Sequence, residues 1–351
     1  MQGLPPRAVT DEPIDDEATF YTASVGIGSP ATFYNLLVDT ASANTWVGAG
    51  KPYVPTSSSQ QTEDSVGVNY GDGSFSGIEF IDQVSFADLV MPNKTIGVAN
   101  TSTGFPKTDG VDGVIGLGPV DLSIGTLLTN LTAIVPTIAD TLFCQGNITT
   151  ELFAIFFEPT TTRNSLNGEI TWGGADSSKF TGNIIFTPIT TQQPAALFWG
   201  IDQSITYGPS TILSSTAGII DTRSTLIHLA TDAFNLYRNA TGATLDPSTG
   251  LLRLPKCACS LTNLQSLFFV IDGVPFEFTA NAQIWPRSLN TLIGGIANQI
   301  YLVVADLGSS SGSGLDFMLG VVFLQRFYSV FDFTNKQVGF ANTPFTHATT
   351  N

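Results

Sequence analysis

Charge is scarce in this chain of 351 residues: Asp, Glu, Lys and Arg together make up 12%, against roughly 25% in an average globular protein. Positive charge is scarcer still. Thirteen Lys and Arg face 29 Asp and Glu, for a net charge of −16. A field of that sign repels a phosphate backbone, which excludes nucleic acid as a partner. Two His and three Cys are too few for a His/Cys metal cluster, so no metal and no cofactor are expected. No apolar run reaches the ~18 residues a membrane helix needs, so no membrane association is expected. With 42% hydrophobic residues, bulk disorder is excluded as well, and the length suits two domains or one large one.

Cysteine usage is uninformative. An odd count leaves at least one thiol unpaired in a monomer. Cys257 and Cys259 stand two residues apart, an awkward span for a bridge. Cys144, Cys257 and Cys259 are therefore read as buried or idle thiols, with no disulfide assigned. Sequons are more telling: Asn93, Asn100, Asn130, Asn147 and Asn239 each open an Asn-x-Ser/Thr triplet, the acceptor pattern for N-glycosylation. With the low Lys content and a pI near 4.2, they point to a secreted, extracellular protein. The first twenty residues have no apolar core of a signal peptide, so the sequence reads as a mature chain.

What the chain has in abundance is short runs of Val, Ile, Phe and Thr, punctuated by 34 Gly and 19 Pro. Ala23–Ile27, Ile78–Phe86, Leu152–Phe157, Ile184–Ile189 and Leu267–Ile271 are such runs, with turn signals every eight to twelve residues. This is the texture of a mostly β protein. Helices are expected over Thr231–Ala240, with Phe234, Leu236 and Tyr237 as an apolar face, and over Thr137–Phe143. The polar segment Pro55–Ser65 reads as an exposed loop.

The chain also repeats itself. Leu37-Val38-Asp39-Thr40-Ala41-Ser42 in the first half is matched by Ile219-Ile220-Asp221-Thr222-Arg223-Ser224 in the second. An apolar-apolar-Gly triplet follows each: Gly116 comes 77 residues after Asp39 (39 to 116), and Gly320 comes 99 after Asp221 (221 to 320). A duplicated β lobe is the natural reading, each lobe offering one carboxylate (residues 1–175 with Asp39, residues 176–351 with Asp221). An Asp directly behind buried strand residues is costly unless its oxygens are satisfied. Two of them in one cleft cannot easily both ionise, so one stays protonated while the other is charged. Such a pair can deprotonate a water and protonate a carbonyl oxygen, the chemistry for which aspartic proteases serve as the general example.

On these residues the chain resembles the pepsin-like aspartic endopeptidases, and among them the secreted polyporopepsin type of basidiomycete fungi. The likeness runs from about Thr22 to Thr346. It rests on Val38–Ala49 (VDTASANTWVGA), Tyr70–Gly77 (YGDGSFSG), Asp109–Pro119 (DGVDGVIGLGP), Gly168–Gly182, the Asp221 segment, Asn281–Thr291 and Leu315–Asp332. The resemblance implies a bilobal pepsin-like fold, two duplicated β lobes with the active-site cleft between them, usually monomeric. It implies that Asp39 and Asp221 are the catalytic dyad. Thr40 and Thr222 would tie the two active-site loops together, and Ser42 and Ser224 would donate to the outer carboxylate oxygens. Tyr70 would sit near the tip of a hairpin flap over a polypeptide substrate, with Trp46 accepting from or bracing its hydroxyl. Gly71 and Gly73 would supply the positive φ of a tight turn. Asp72 resembles the flap acid of fungal members that tolerate Lys before the scissile bond. Pepstatin-like inhibitors would bind.

One departure from the family pattern matters. Asp-Thr-Gly becomes Asp-Thr-Ala at Ala41 and Asp-Thr-Arg at Arg223. Ala41 keeps its N–H and adds one methyl, a modest change if its φ is negative. A guanidinium at Arg223 has larger consequences: aimed at the dyad, it would hold both carboxylates as anions and remove the shared proton. Three outcomes follow. Arg223 points along the outside of the turn and the chain is a peptidase working at acidic pH. Or it enters the cleft or displaces the loop, leaving a catalytically impaired peptide-binding homologue. Or it narrows specificity to acidic side chains. A glycosidase with paired carboxylates fits the composition but not the Asp-Thr repeat or the hairpin. His228 and His347 neighbour no Ser or Cys constellation, so a nucleophile triad is unsupported. Low basic content suits work at acid pH, where thirteen cations generate little self-repulsion.

Overall fold

The computed structural model describes residues 9–105, 110–255 and 263–350. The chain packs into two compact units. The first runs through Asp15 and then comprises Tyr21–Ala154 and Glu169–Ala175; the second comprises Asp16–Phe20, Ile155–Gly168 and the chain from Asp176 on.

Eight strands build the first unit: β1 (Thr10–Asp16), β2 (Tyr21–Ile27), β3 (Thr32–Asp39), β4 (Trp46–Val47), β5 (Gln60–Asn69), β6 (Ser74–Phe86), β7 (Leu89–Thr103) and β8 (Gly113–Gly116). They lie in the order β1-β2-β3-β8-β4-β7-β6-β5, and β6 also pairs back onto β2. The short β8 is inserted between β3, to which it runs parallel with Asp39 opposite Gly116, and β4, to which it runs antiparallel. Buried positions on β2 and β3 include Ala23, Val25, Ile27, Leu36 and Val38, residues that suit a strand covered on both faces. Helix α1 (Ile138–Cys144) starts as its sequence dictates. Thr137 caps the Asp140 N–H while the Asp140 carboxylate accepts from the Thr137 N–H, a reciprocal capping box. Strands β9 (Leu152–Phe157) and β10 (Ser165–Trp172) carry the chain across the division.

The second unit holds β11 (Thr181–Pro188), β12 (Gly200–Tyr207), β13 (Ser210–Ile220), β14 (Ile227–Leu229), β15 (Thr244–Leu245), β16 (Leu252–Arg253), β17 (Leu267–Ile271), β18 (Val274–Phe278), β19 (Val304–Asp306), β20 (Phe317–Leu319), β21 (Phe327–Asp332) and β22 (Gln337–Asn342). Seven of them form a sheet in the order β18-β17-β12-β13-β20-β14-β19. Here β20 does what β8 does in the first unit. It is inserted between β13, parallel with Ile220 opposite Leu319, and β14, antiparallel with Ile227 opposite Leu319. The duplicated motif is therefore a duplicated strand insertion. An aromatic cluster of Phe269, Phe276, Phe323, Phe327 and Phe340 fills the core behind it, largely by edge-on contacts.

Two local expectations need correction. The segment Pro55–Ser65 is not all loop: from Gln60 it is strand β5, paired with β6 across an irregularity between Gln61 and Ser65. Its polarity reflects a ribbon largely open to water, not absence of structure. The part before it is tied down by buried Asp82, which accepts from Tyr53, Ser58 and Ser59 hydroxyls and from the Gln83 N–H at 2.6–2.8 Å. Burial works to raise the Asp82 carboxyl, but those donors hold it below its usual value. The second helix, α2 (Thr231–Thr241), ends at Gly242 in the left-handed conformation. It buries Ala233, Phe234 and Tyr237, whereas Leu236 is 51% exposed and lies outside the apolar face assigned to it.

Candidate active site

Each unit presents one carboxylate, and the two are held alike. Asp39 ends β3 and is 1% exposed. Its Oδ1 accepts from the Ala41 N–H at 2.8 Å and its Oδ2 from the Ser42 hydroxyl at 2.7 Å. Asp221 follows directly on β13 and is 7% exposed. Its Oδ1 accepts from the Arg223 N–H at 2.9 Å and its Oδ2 from the Ser224 hydroxyl at 2.7 Å. Thr40 and Thr222, one position on, are both fully buried. The inserted strands complete the likeness. A Cβ on Gly116 would lie 2.4 Å from the Ala43 carbonyl carbon, and one on Gly320 would lie 2.3 Å from the Ser224 oxygen. Only glycine lets the inserted strand pass that close to the turn.

The altered motif positions fit without strain. Among the described residues the non-glycine positions with positive φ are Ala18, Ala87, Asn164, Asp272, Asn298 and Lys336, which include neither Ala41 nor Arg223. Both residues supply the backbone N–H that the resemblance assigns to glycine at these positions. Arg223 does not displace the Asp221 loop, because the Asp221 turn repeats the hydrogen bonds of the Asp39 turn. Nor does the Arg223 charge set the direction of the Asp221 shift. Burial raises the Asp221 carboxyl above its usual value and outweighs the lowering by Ser224, the Arg223 and Ser224 amides and, last, the Arg223 charge.

Residues outside the repeat add to the second half-site. The Ser224 hydroxyl also lies 2.7 Å from the Met318 sulfur, a contact with no counterpart described at Ser42. On β14, His228 faces Met318 across the ladder. Burial lowers its pKa, against the opposing pull of Asp221 and Asp306.

The Tyr70 hairpin belongs to the first unit. Strands β5 and β6 meet in a turn closed by the Tyr70 N–H on the Gly73 oxygen at 2.8 Å, with the Gly71 N–H on the Asn69 side chain. Gly71 takes φ +84°. Gly73 does not have a positive φ; it is small for another reason, since a Cβ there would lie 2.5 Å from the Thr103 oxygen. Asp72 is exposed at the tip. Trp46, fully buried on β4, does not accept from Tyr70: an indole N–H only donates, and it donates to the Tyr70 hydroxyl oxygen at 2.7 Å. Two aromatics that the sequence motifs did not single out complete the brace. Phe75 stacks on Trp46 at 4.3 Å, and Phe105 stands edge-on to Trp46 and to Tyr70 at 5.0 and 5.6 Å. The available signal was Phe75 inside the Tyr70–Gly77 segment; Phe105 comes from another strand end and carried none.

The eukaryotic aspartyl protease model matches residues 20–343. The chain belongs to that family. It is 57% identical over 340 residues to polyporopepsin from Irpex lacteus, covering 97% of this chain and 98% of that one. Human gastricsin is 28% identical over 354 residues, covering 95% and 84%. The crystal structure of the aspartic proteinase from Irpex lacteus superposes with a TM-score of 0.95 at 57% identity, covering 98% of this chain and all of that one. The fold is thus the bilobal pepsin-like fold, and the chain is an aspartic-type endopeptidase, a hydrolase.

The remaining residues singled out from the sequence are peripheral. Asn93, Asn100, Asn130 and Asn239 are exposed, and Asn147 is half-buried with its amide donating to the Val90 oxygen. Cys144 is a free, exposed thiol, which fits the idle and not the buried form of the expectation. Cys257 and Cys259, like Asp109 of the Asp109–Pro119 motif, lie outside the described residues. Among the described residues no helix is long and apolar enough to cross a membrane.

Proposed function

We propose that this chain is a secreted endopeptidase that cleaves extended polypeptides at acidic pH, with Asp39 and Asp221 acting as one catalytic pair. The observation that carries the reading is the matched construction of the two carboxylates, each fixed by one backbone N–H and one serine hydroxyl. Held in this way, one ionised Asp takes a proton from water. The water oxygen adds to the peptide carbonyl carbon, and the protonated Asp gives its proton to the carbonyl oxygen. Asp221 suits the protonated role, since burial raises it. Thr40 and Thr222, each buried in its own turn, support the carboxylates, and the Tyr70 hairpin closes over substrate. Exposed Asp72 at its tip receives a Lys side chain before the scissile bond. The chain acts as a monomer and binds pepstatin-like inhibitors. The peptide-binding alternative is less well supported, because Ala41 and Arg223 retain the amide contacts that glycine would make.

The test is cleavage of an unfolded protein at about pH 3 to 5 with and without pepstatin, alongside Asp39→Asn and Asp221→Asn. Pepstatin-sensitive cleavage that falls by at least about 10²-fold in either variant is expected. Cleavage that survives Asp39→Asn overturns the mechanism. A folded wild-type chain that binds pepstatin but cleaves nothing establishes the peptide-binding role instead.

A further inference from the structure

The loop between β8 and α1 presents an unusual surface. Ile124, Leu128, Leu131 and Ile134 are 48%, 56%, 59% and 53% exposed within eleven residues. The loop is held firmly. Its backbone bonds to the hairpin strand β5 through the Gly67 N–H on the Thr126 oxygen and the Leu128 N–H on the Ser65 oxygen, and the Thr129 hydroxyl donates to Asp64. Two successive turns, closed by the Asn130 N–H on the Leu127 oxygen and the Ala133 N–H on the Asn130 oxygen, fold its backbone. Four exposed aliphatic side chains in so short a stretch make an apolar surface of the kind that is usually covered.

The cover is written into the same turn. Asn130-Leu131-Thr132 is a sequon, and Asn130 is exposed amid the aliphatic side chains. Its Oδ1 accepts from the Thr132 N–H at 3.3 Å and from the Thr132 hydroxyl at 3.0 Å. The oxygen is thereby engaged by the hydroxyl residue of its own sequon, and the amide nitrogen is left for attachment. The other sequons lack this arrangement. The Asn147 nitrogen donates to the Val90 oxygen, and the Thr241 hydroxyl of the Asn239 sequon bonds helix carbonyls. Asn93 precedes a fully buried Lys94.

We infer that Asn130 is an N-glycosylation site whose glycan covers the aliphatic surface formed by Ile124, Leu128, Leu131 and Ile134. This rests on the secreted reading above. In the transfer, Asn130 Nδ2 attacks the anomeric carbon of a polyprenyl-pyrophosphate-linked oligosaccharide. The new C–N bond replaces the C–O bond to phosphate, the lipid pyrophosphate departs, and Nδ2 loses one proton. The C–H faces of the first sugars lie on the leucines while the hydroxyls face water.

The experiment secretes the full chain from yeast and maps each sequon by mass spectrometry after endoglycosidase H. It then compares wild type with Asn130→Gln, Thr132→Val and, as a control, Asn239→Gln. The expected result is one retained N-acetylglucosamine on the Asn130 peptide. Loss of the glycan through either Asn130 or Thr132 should raise hydrophobic-dye fluorescence at least twofold and promote self-association, with peptide-cleavage kcat/KM unchanged and Asn239→Gln silent. Thr132→Val reaches the same end through a different side chain, should Asn130→Gln fail to fold. An unmodified Asn130 in a secreted chain glycosylated elsewhere overturns the inference while leaving secretion standing. Absence of glycan at every sequon overturns both. A glycosylated Asn130 whose removal leaves dye binding unchanged overturns the covering role.

Discussion

A guanidinium two residues from the proposed catalytic carboxylate is a reason to expect a dead site, but side-chain identity alone does not decide what Arg223 does. The position makes two separate contributions to Asp221. The backbone N–H donates at 2.9 Å regardless of side chain; the charge lowers the carboxyl pKa but is outweighed by burial, which raises it. Removing the charge while keeping the amide, as in Arg223→Gly, therefore raises Asp221 further. The limb of the pH–kcat/KM profile on which this proton is lost should move to higher pH, with the maximum rate changed by less than about tenfold. A shift of that limb to lower pH, or loss of all cleavage, would show that Arg223 supports the site in some other way. Ser224→Ala should act in the same direction, because the hydroxyl is the foremost of the groups lowering Asp221.

At the scale of elements, local chemistry was readable and long-range partnership was not. Helix α1 and the duplicated lobe were readable from local patterns, whereas the Thr137–Asp140 capping box and the insertion of β8 and β20 appear only in the structure. The Asp-x-x-Ser contacts were likewise local. Polar β5 was misread because its strand character lies in pairing to β6, which no period within 60–65 betrays. Leu236 was misassigned because one helical turn offers apolar residues to two faces and only the neighbouring strands choose between them. Trp46 shows the same divide: its place near Tyr70 was legible from the motifs, but its role as donor, and the Phe75 and Phe105 rings around it, belong to tertiary packing. That brace has a measurable consequence. Trp46→Phe keeps an aromatic ring against Phe75 but removes the N–H to Tyr70, a bond worth roughly 0.5–1.5 kcal/mol. Cleavage should lose up to about tenfold in kcat/KM, chiefly through KM, with the pH profile unmoved. A changed pH profile would mean that Trp46 acts on the carboxylates rather than on the hairpin.

For the molecule as a whole, the first unit is built to be stable in acid. Glu12 and Glu79 are each pushed up to about 7 from the usual 4.5, both mainly by burial; near Glu79, Lys94 pulls down and Asp64 pushes up. Glu151 reaches about 7 through burial and the carboxyl of Asp140. Lys94 is buried with its ammonium on the Thr95 and Pro136 carbonyl oxygens, and burial lowers it to about 8. All four lie in the same unit. The sign follows from proton counting. Below pH 4.5 these glutamates are protonated whether the chain is folded or not, and their contribution to stability is complete. Between 4.5 and about 7 the folded chain keeps protons that the unfolded chain has released, so stability falls with every step in pH until the folded groups also ionise. Lys94 does not compensate, because its depressed pKa favours the folded state only as pH rises above about 8. Urea midpoints followed by tryptophan fluorescence should therefore decline steadily from pH 4.5 to 7. Glu79→Gln, which mimics the protonated acid, should match wild type near pH 4 and decline less steeply above it. A midpoint independent of pH across that interval would mean that these carboxyls reach water in the folded chain, and that acid stability has another source.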